Sequence, residues 1–251
     1  MLRDNERLDD LLTYQLKIIQ SPEVFSFSLD AVLLARFCSV PPTGSIVDLC
    51  SGNGVIPLLL STRTKAAITG VEIQERLWGM AVRSVALNHR ENQIQMEHAD
   101  LRDWAMTTTR NGKYDLVTVN PPYLPVPQGH QNLNEHYAIA RHEMLCTLED
   151  VIAAASRLVR TGGKVAMVHR PSRIVDILDL MRKYRLEPKR IRFVHPKAGS
   201  EANMVLIEGM RDGKPEVRLL PPLIVYDGNN EYCKELLEVY YGHSTELLGG
   251  S

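Results

Sequence analysis

From about residue 45 onward, short apolar runs rich in β-branched residues alternate with segments of helical period, and few architectures accommodate that alternation. SIVDLC, AAITGVEI, IQMEHAD, YDLVTVN and KVAMVHR read as strands, with helices predicted over 54–62 and 75–91 between the first three. Thr147, with Asp150 three residues on, resembles a capping box that opens a helix to about residue 160, ended by Gly162 and Gly163. Pro171 suits the first turn of another helix, with Ile174, Ile177, Leu178 and Met181 on one face. Repeated strand–helix units predict an α/β fold with a mostly parallel, seven-stranded sheet and helices on both faces. RIRFVHP and NMVLIEGM, followed by EVRLLPPLIVYD, are joined more directly, so an antiparallel element is expected near the C-terminal end.

Residues 5–20 place Leu8, Leu11, Leu12, Leu16 and Ile19 at a helical period, and a helix is expected there. Ser28 suits the cap of a second helix, with Asp30 in its first turn. The expected organisation is one domain over 1–251. It has a helical N-terminal extension over 1–40, a core over 45–208 and a C-terminal extension over 209–251.

Composition narrows the class. No apolar run reaches 18 residues, and the charged N-terminus MLRDNERLDD lacks the apolar stretch of a signal peptide, so a cytoplasmic protein without a membrane span is expected. Cys38, Cys50, Cys146 and Cys233 lie far apart with no His at ligand spacing, which reads as four reduced thiols and no metal site. The net charge of −1 hides an asymmetry: residues 155–200 hold twelve Lys or Arg against Asp176, Asp179 and Glu187. Such a run is either a solvated face or a surface for nucleic acid.

VDLCSGNGVIP falls where the first strand of the alternating region passes into its helix. Gly52 and Gly54 allow a tight turn and a close approach of backbone to ligand. A dinucleotide fingerprint would have a small residue where Pro57 stands, and Asp48 suits an ammonium-bearing ligand better than a pyrophosphate. Glu72 ends the second strand and Asp100 follows the third. Carboxylates at those positions can accept from ribose hydroxyls and from an adenine amino group, which favours a nucleoside cofactor. The pattern looks like the S-adenosylmethionine (SAM) site of the Rossmann-like methyltransferases.

The fourth strand ends in Asn120-Pro121-Pro122-Tyr123. Methylation of a planar amino nitrogen suits this group. Such a nitrogen delocalises its lone pair and is a poor nucleophile. The Asn120 side-chain oxygen and the Pro121 carbonyl can accept its two N–H bonds and favour a pyramidal geometry, while Tyr123 stacks on the flat substrate. Prolines remove loop entropy in advance.

Together FSFSLDAVLLA, VDLCSGNGVIPLLL, GVEIQ, DLRD, VNPPY, AIARHE and VHRP resemble the bacterial tRNA adenine-N6 methyltransferases that modify an adenine in the anticodon loop of a valine tRNA. That resemblance implies a Rossmann-like class I methyltransferase with SAM as cofactor and tRNA as partner. It implies that Asp48, Gly52, Gly54, Glu72, Asp100 and Leu101 bind SAM, with Phe27, Ser28 and Asp30 bordering its methionine part and Asn120 facing it. Asn120, Pro121 and Tyr123 would hold the target adenine. Pro122, Arg141, His142, Arg170 and Arg173 are candidates for RNA contact, and Arg182, Lys183, Arg185, Lys189, Arg190 and Arg192 fall where a phosphate backbone could be tracked. Two readings stand beside it. The glutamine methyltransferases of peptide-release factors share the N-P-P-Y group but usually carry a longer helical N-terminal domain. A SAM-binding scaffold without catalysis is the other.

Overall fold

The computed structural model describes residues 2–11, 15–24, 29–121 and 146–241. Two strands, β1 (Arg7–Asp10) and β2 (Lys17–Gln20), pair antiparallel in a hairpin of their own, and helix α1 (Leu29–Phe37) follows. The alternating region then unfolds as the sequence predicts. Strand β3 (Ser45–Leu49) leads to α2 (Val55–Ser61), β4 (Ala67–Glu72) to α3 (Glu75–Leu87), and β5 (Ile94–His98) to α4 (Leu101–Met106). Beyond β6 (Tyr114–Val119) come α5 (Leu148–Leu158), β7 (Val159–His169), α6 (Ile174–Lys183), β8 (Leu186–Lys197) and β9 (Met204–Arg211). Two short strands, β10 (Arg218–Leu219) and β11 (Leu223–Tyr226), and α7 (Lys234–Tyr241) complete the described chain.

Among the described residues nine strands form one sheet in the order β10-β8-β9-β7-β6-β3-β4-β5, with β11 also on β8. Five parallel strands, β7 to β5, make its body, and β9 is antiparallel to both β7 and β8. The seven expected strands are therefore β3 to β9. EVRLLPPLIVYD splits at Pro221 and Pro222, which have no N–H for a ladder, into two short strands that run parallel to β8.

Apolar side chains alternate between the two faces, as a sheet covered on both sides requires. Ile46, Leu116, Ala166 and Val168 pack with α1 and α2 on one face. Val47, Leu49, Val117, Val119 and Val165 pack with α4, α5 and α6 on the other. The Thr147 capping box is present: its hydroxyl accepts from the Asp150 N–H at 3.1 Å, and Asp150 Oδ2 accepts the Thr147 N–H at 2.9 Å. Pro57 sits in the first turn of α2, where its missing N–H costs nothing.

The helix expected over 5–20 is instead the β1–β2 hairpin, and its reason is tertiary. Asn88, just past α3, accepts the Lys17 N–H on its Oδ1 at 2.9 Å and donates from its Nδ2 to the Lys17 carbonyl at 2.7 Å. Ser84 Oγ accepts the Ile19 N–H at 3.0 Å. Arg83 forks onto Glu6, with Nη2 2.7 Å from Oε1, and that hydrogen-bonded cation lowers the Glu6 carboxyl to about 2. Side chains of α3 thus satisfy the outer edge of β2, a pairing no local periodicity reports.

Candidate functional site

The site edge of the sheet lies at the carboxyl ends of the parallel strands. Chain order reverses between β3 and β6, because β4 lies on one side of β3 and β6 on the other. A crevice opens at such a reversal. Asp48 and Thr118 face each other there in register, both fully buried. The Thr118 hydroxyl donates to Asp48 Oδ1 at 2.6 Å, while among the described residues no hydrogen bond of good geometry reaches the buried Asp48 Oδ2, although the Ser51 hydroxyl also acts on this carboxyl. Burial pushes the Asp48 carboxyl up to about 7 against the pull of the hydroxyls. A buried acceptor left open at a crevice is a place for a donor from a ligand.

The turn after β3 is bent by its backbone. Cys50, Gly52 and Gly54 all have positive φ (56°, 56° and 85°). For Cys50 that conformation carries strain of a kind concentrated at functional sites. A side chain on Gly54 would come within 3.1 Å of the Ala81 Cβ, so this glycine serves the packing of the turn on α3. One on Gly52 would meet nothing within 4 Å among the described residues, so these leave space beside the loop there. Glu72 holds the loop in place. Its Oε2 accepts the Gly52 N–H and its Oε1 the Gln74 N–H, each at 2.8 Å. Burial raises the Glu72 carboxyl despite these donors. With two lone pairs on each oxygen, the carboxylate has acceptor capacity beyond these backbone donors.

Asp100 caps α4 by accepting the Arg102 N–H at 2.9 Å, and the Arg102 guanidinium also lies on both its oxygens. That contact lowers the Asp100 carboxyl. Leu101 begins α4 and is buried in the apolar cluster with Val47 and Leu49. Asp30, also buried, accepts the Ala31 N–H in the first turn of α1. Asn120, partly exposed, and Pro121, buried, directly follow β6 and so sit beside the start of the glycine turn. Phe27, Ser28, Pro122, Tyr123, Arg141 and His142 lie outside the described residues.

Three polar residues escape a reading of the sequence alone. Thr118 looks like one more β-former in VTVN, yet it fixes Asp48 from 70 positions away. Asn53, inside the glycine turn, donates to the Ile19 carbonyl at 3.1 Å and ties the turn to the hairpin. Ser51 places its hydroxyl beside the crevice. The only hint is a polar residue where apolar neighbours predominate.

The basic run over 155–200 is less of a surface than its count suggests. Arg160 pairs with Asp115 at 2.7 Å, Lys183 with Glu149 at 2.6 Å, Arg185 with Asp212 at 2.6 Å, and Arg192 with Glu235. Arg190 reaches inward to Glu208 at 3.0 Å and to the Phe37 carbonyl. Arg182 and Arg185 precede β8, whose first residue pairs with Arg211 at the sheet edge away from Asn120. A phosphate track along all six of Arg182, Lys183, Arg185, Lys189, Arg190 and Arg192 is therefore not what the fold builds. Arg170 and Arg173 do lie at the site edge, after β7, with Arg173 Nε 2.9 Å from Asp176. His169, buried beneath them, accepts the Arg170 N–H on Nδ1 at 2.8 Å, and burial lowers it to about 4, keeping it neutral. Among the described residues no three His, Cys, Asp or Glu side chains gather where a metal ion could be held, and no helix is long and apolar enough to cross a membrane.

The sequence profile of the methyltransferase small domain matches residues 15–184. The tRNA1(Val) (adenine(37)-N6)-methyltransferase of Parabacteroides distasonis is 29% identical over 183 residues, covering 71% of this chain and 74% of that one. Its namesake in Haemophilus influenzae (strain 86-028NP) is 26% identical over 227 residues, covering 90% and 94%. Among solved structures, a predicted O-methyltransferase from Agrobacterium tumefaciens superposes with a TM-score of 0.67 at 22% identity, over 84% of this chain and 95% of that one. A geranyl diphosphate C-methyltransferase from Streptomyces coelicolor gives 0.53 at 15% identity, over 72% and 79%. At such identities these structures share the fold.

Proposed function

This chain belongs to the methyltransferase small domain family, and from that premise we propose that it methylates the exocyclic N6 of an adenine in the anticodon loop of a valine tRNA, with SAM as donor. The observation that carries this reading is the meeting of two strand ends: Asn120-Pro121 closes β6 directly beside the buried acid and glycine turn of β3. The substrate comes from the relatives, which bear the name of that activity along most of their length.

The residues present fit SAM. Asp48 Oδ2, buried and with no hydrogen bond of good geometry among the described residues, is an acceptor for an ammonium group. The space that the described residues leave at Gly52 lets a ligand lie against the backbone. Glu72 retains lone pairs for ribose hydroxyls, and Asp100 for an adenine amino group once Arg102 yields part of its hold. When bound, SAM supplies a methyl group on a cationic sulfur. Asn120 and Pro121 accept the two N–H bonds of the target amine, so its lone pair is no longer shared with the ring. Tyr123 supplies a stacking face. The proton leaves the nitrogen after transfer, and no general base is needed among these residues.

A base in a loop must be turned out to reach this crevice, and the cost is smallest where it is already unstacked. The test is to incubate the protein with labelled SAM and either bulk tRNA or a peptide-release factor, and to identify the product by mass spectrometry. N6-methyladenosine is the expected product. N5-methylglutamine would replace this reading with its glutamine counterpart.

A further inference from the structure

The C-terminal strands bring an exposed aromatic pair to the same edge of the sheet as Asn120. β11 runs parallel to β8 with Tyr226 opposite Lys197, and the chain then turns back so that Tyr226 and Tyr232 form an antiparallel bridge. Their rings stack with centroids 5.2 Å apart and planes 23° from parallel. The turn between them is held by its own hydrogen bonds. Asp227 Oδ1 accepts the N–H of Asn229 at 2.8 Å and of Glu231 at 3.0 Å, and the Asp227 N–H donates to the Glu231 carbonyl at 2.9 Å. Behind it, α7 anchors the extension to the core through Leu236, which is fully buried.

A cross-strand tyrosine pair stabilises a hairpin in any setting. Here the two tyrosines also remain exposed, at 36% and 45% of the residue surface, and their position is informative. From β6 the sheet passes through β7, β9 and β8 to β11, four strand spacings or roughly 19 Å. Along that path the same edge presents two exposed cations, Arg170 after β7 and Lys197 at the end of β8. Cations at intervals leading to an aromatic face is how proteins track a single strand, with the charges at phosphates and the rings beneath bases.

Resting on the tRNA reading above, we propose that Tyr226 and Tyr232 form a stacking platform for an unpaired base of the RNA substrate, a few nucleotides from the target adenine. Arg170 and Lys197 hold the intervening phosphates. The platform is preformed, so little side-chain entropy is lost when the base arrives.

The test compares tRNA affinity, SAM affinity and methyl transfer in the wild type and in Tyr226→Ala, Tyr232→Ala, Tyr232→Phe and Lys197→Glu. Each alanine variant should bind tRNA about 5- to 150-fold more weakly, the range for loss of one stacked base, with KM for tRNA rising while SAM affinity holds. Tyr232→Phe, which keeps the ring, should bind tRNA like the wild type. Lys197→Glu, on an exposed side chain, should flatten the dependence of log affinity on log salt by about one contact. If the wild type methylates tRNA and the alanine variants bind it equally well, the platform is overturned and the activity stands. A phenylalanine variant as weak as the alanine one also overturns stacking. A wild type that binds no tRNA overturns both readings.

Discussion

Replacing Asp48 by asparagine separates what this carboxyl costs the folded protein from what it gives the cofactor. Asp48 is fully buried, and its carboxyl stands at about 7 against an ordinary 3.8. The folded state therefore binds a proton that the unfolded chain releases between those values. A raised value means stability that is complete below about pH 4 and is lost as pH rises through about 7. Across that window the loss is up to about 1.4 kcal/mol per pH unit. Asparagine keeps an oxygen for the Thr118 hydroxyl and carries no charge at any pH. Glu72, raised in the same direction, is present in both proteins and drops out of the difference. Without SAM, the stability of Asp48→Asn relative to the wild type should thus grow by roughly 2–3 kcal/mol between pH 5 and pH 8.5. Urea unfolding followed by circular dichroism at several pH values measures it. With SAM the order should reverse, because the ammonium group loses its charged acceptor. Unfolding curves that shift in parallel with pH in both proteins would refute the reasoning.

Asn120→Ala should keep SAM affinity while transfer falls on the order of 10²-fold, as for loss of one donor or acceptor at a reacting centre; unchanged turnover would remove Asn120 from the chemistry. Glu72→Ala leaves the Gly52 and Gln74 N–H groups without their acceptor and is expected to weaken SAM binding at least tenfold by calorimetry, with KM for tRNA at saturating SAM equal to that of the wild type. For Asn88→Ala the Lys17 N–H and carbonyl lose their partner, so hydrogen exchange in β2 should accelerate while that in β3 and β6 does not; uniform acceleration would mean that the hairpin is not a separate unit.

The core was legible because its strands are buried on both faces and therefore read as continuous β-branched runs, as in SIVDL and YDLVTV. The acids at the strand ends were legible for a related reason, since Asp48 and Glu72 are charges where the local pattern asks for apolar residues. The N-terminal hairpin was not. Leu8, Leu11, Leu16 and Ile19 satisfy a helical spacing, and what overrides it are the side chains of Arg83, Ser84 and Asn88, far along the chain. Charge was legible as a count and misleading as a surface. Nothing in the sequence around Arg190 says that Glu208, one strand away, holds it inward.

The same hairpin has a consequence for the order in which the molecule is made. Residues 7–20 leave the ribosome before the residues they dock on, yet a lone two-stranded hairpin is marginal in water. Its partners at Arg83, Ser84 and Asn88 arrive only after β3, α2 and β4 have been synthesised. Docking of the hairpin then waits on contacts of long sequence separation, although it is made before them. Until it docks, the Asn53 amide lacks the Ile19 carbonyl that secures the glycine turn. A nascent chain can hence have its sheet in place while the turn that receives the cofactor is still untethered.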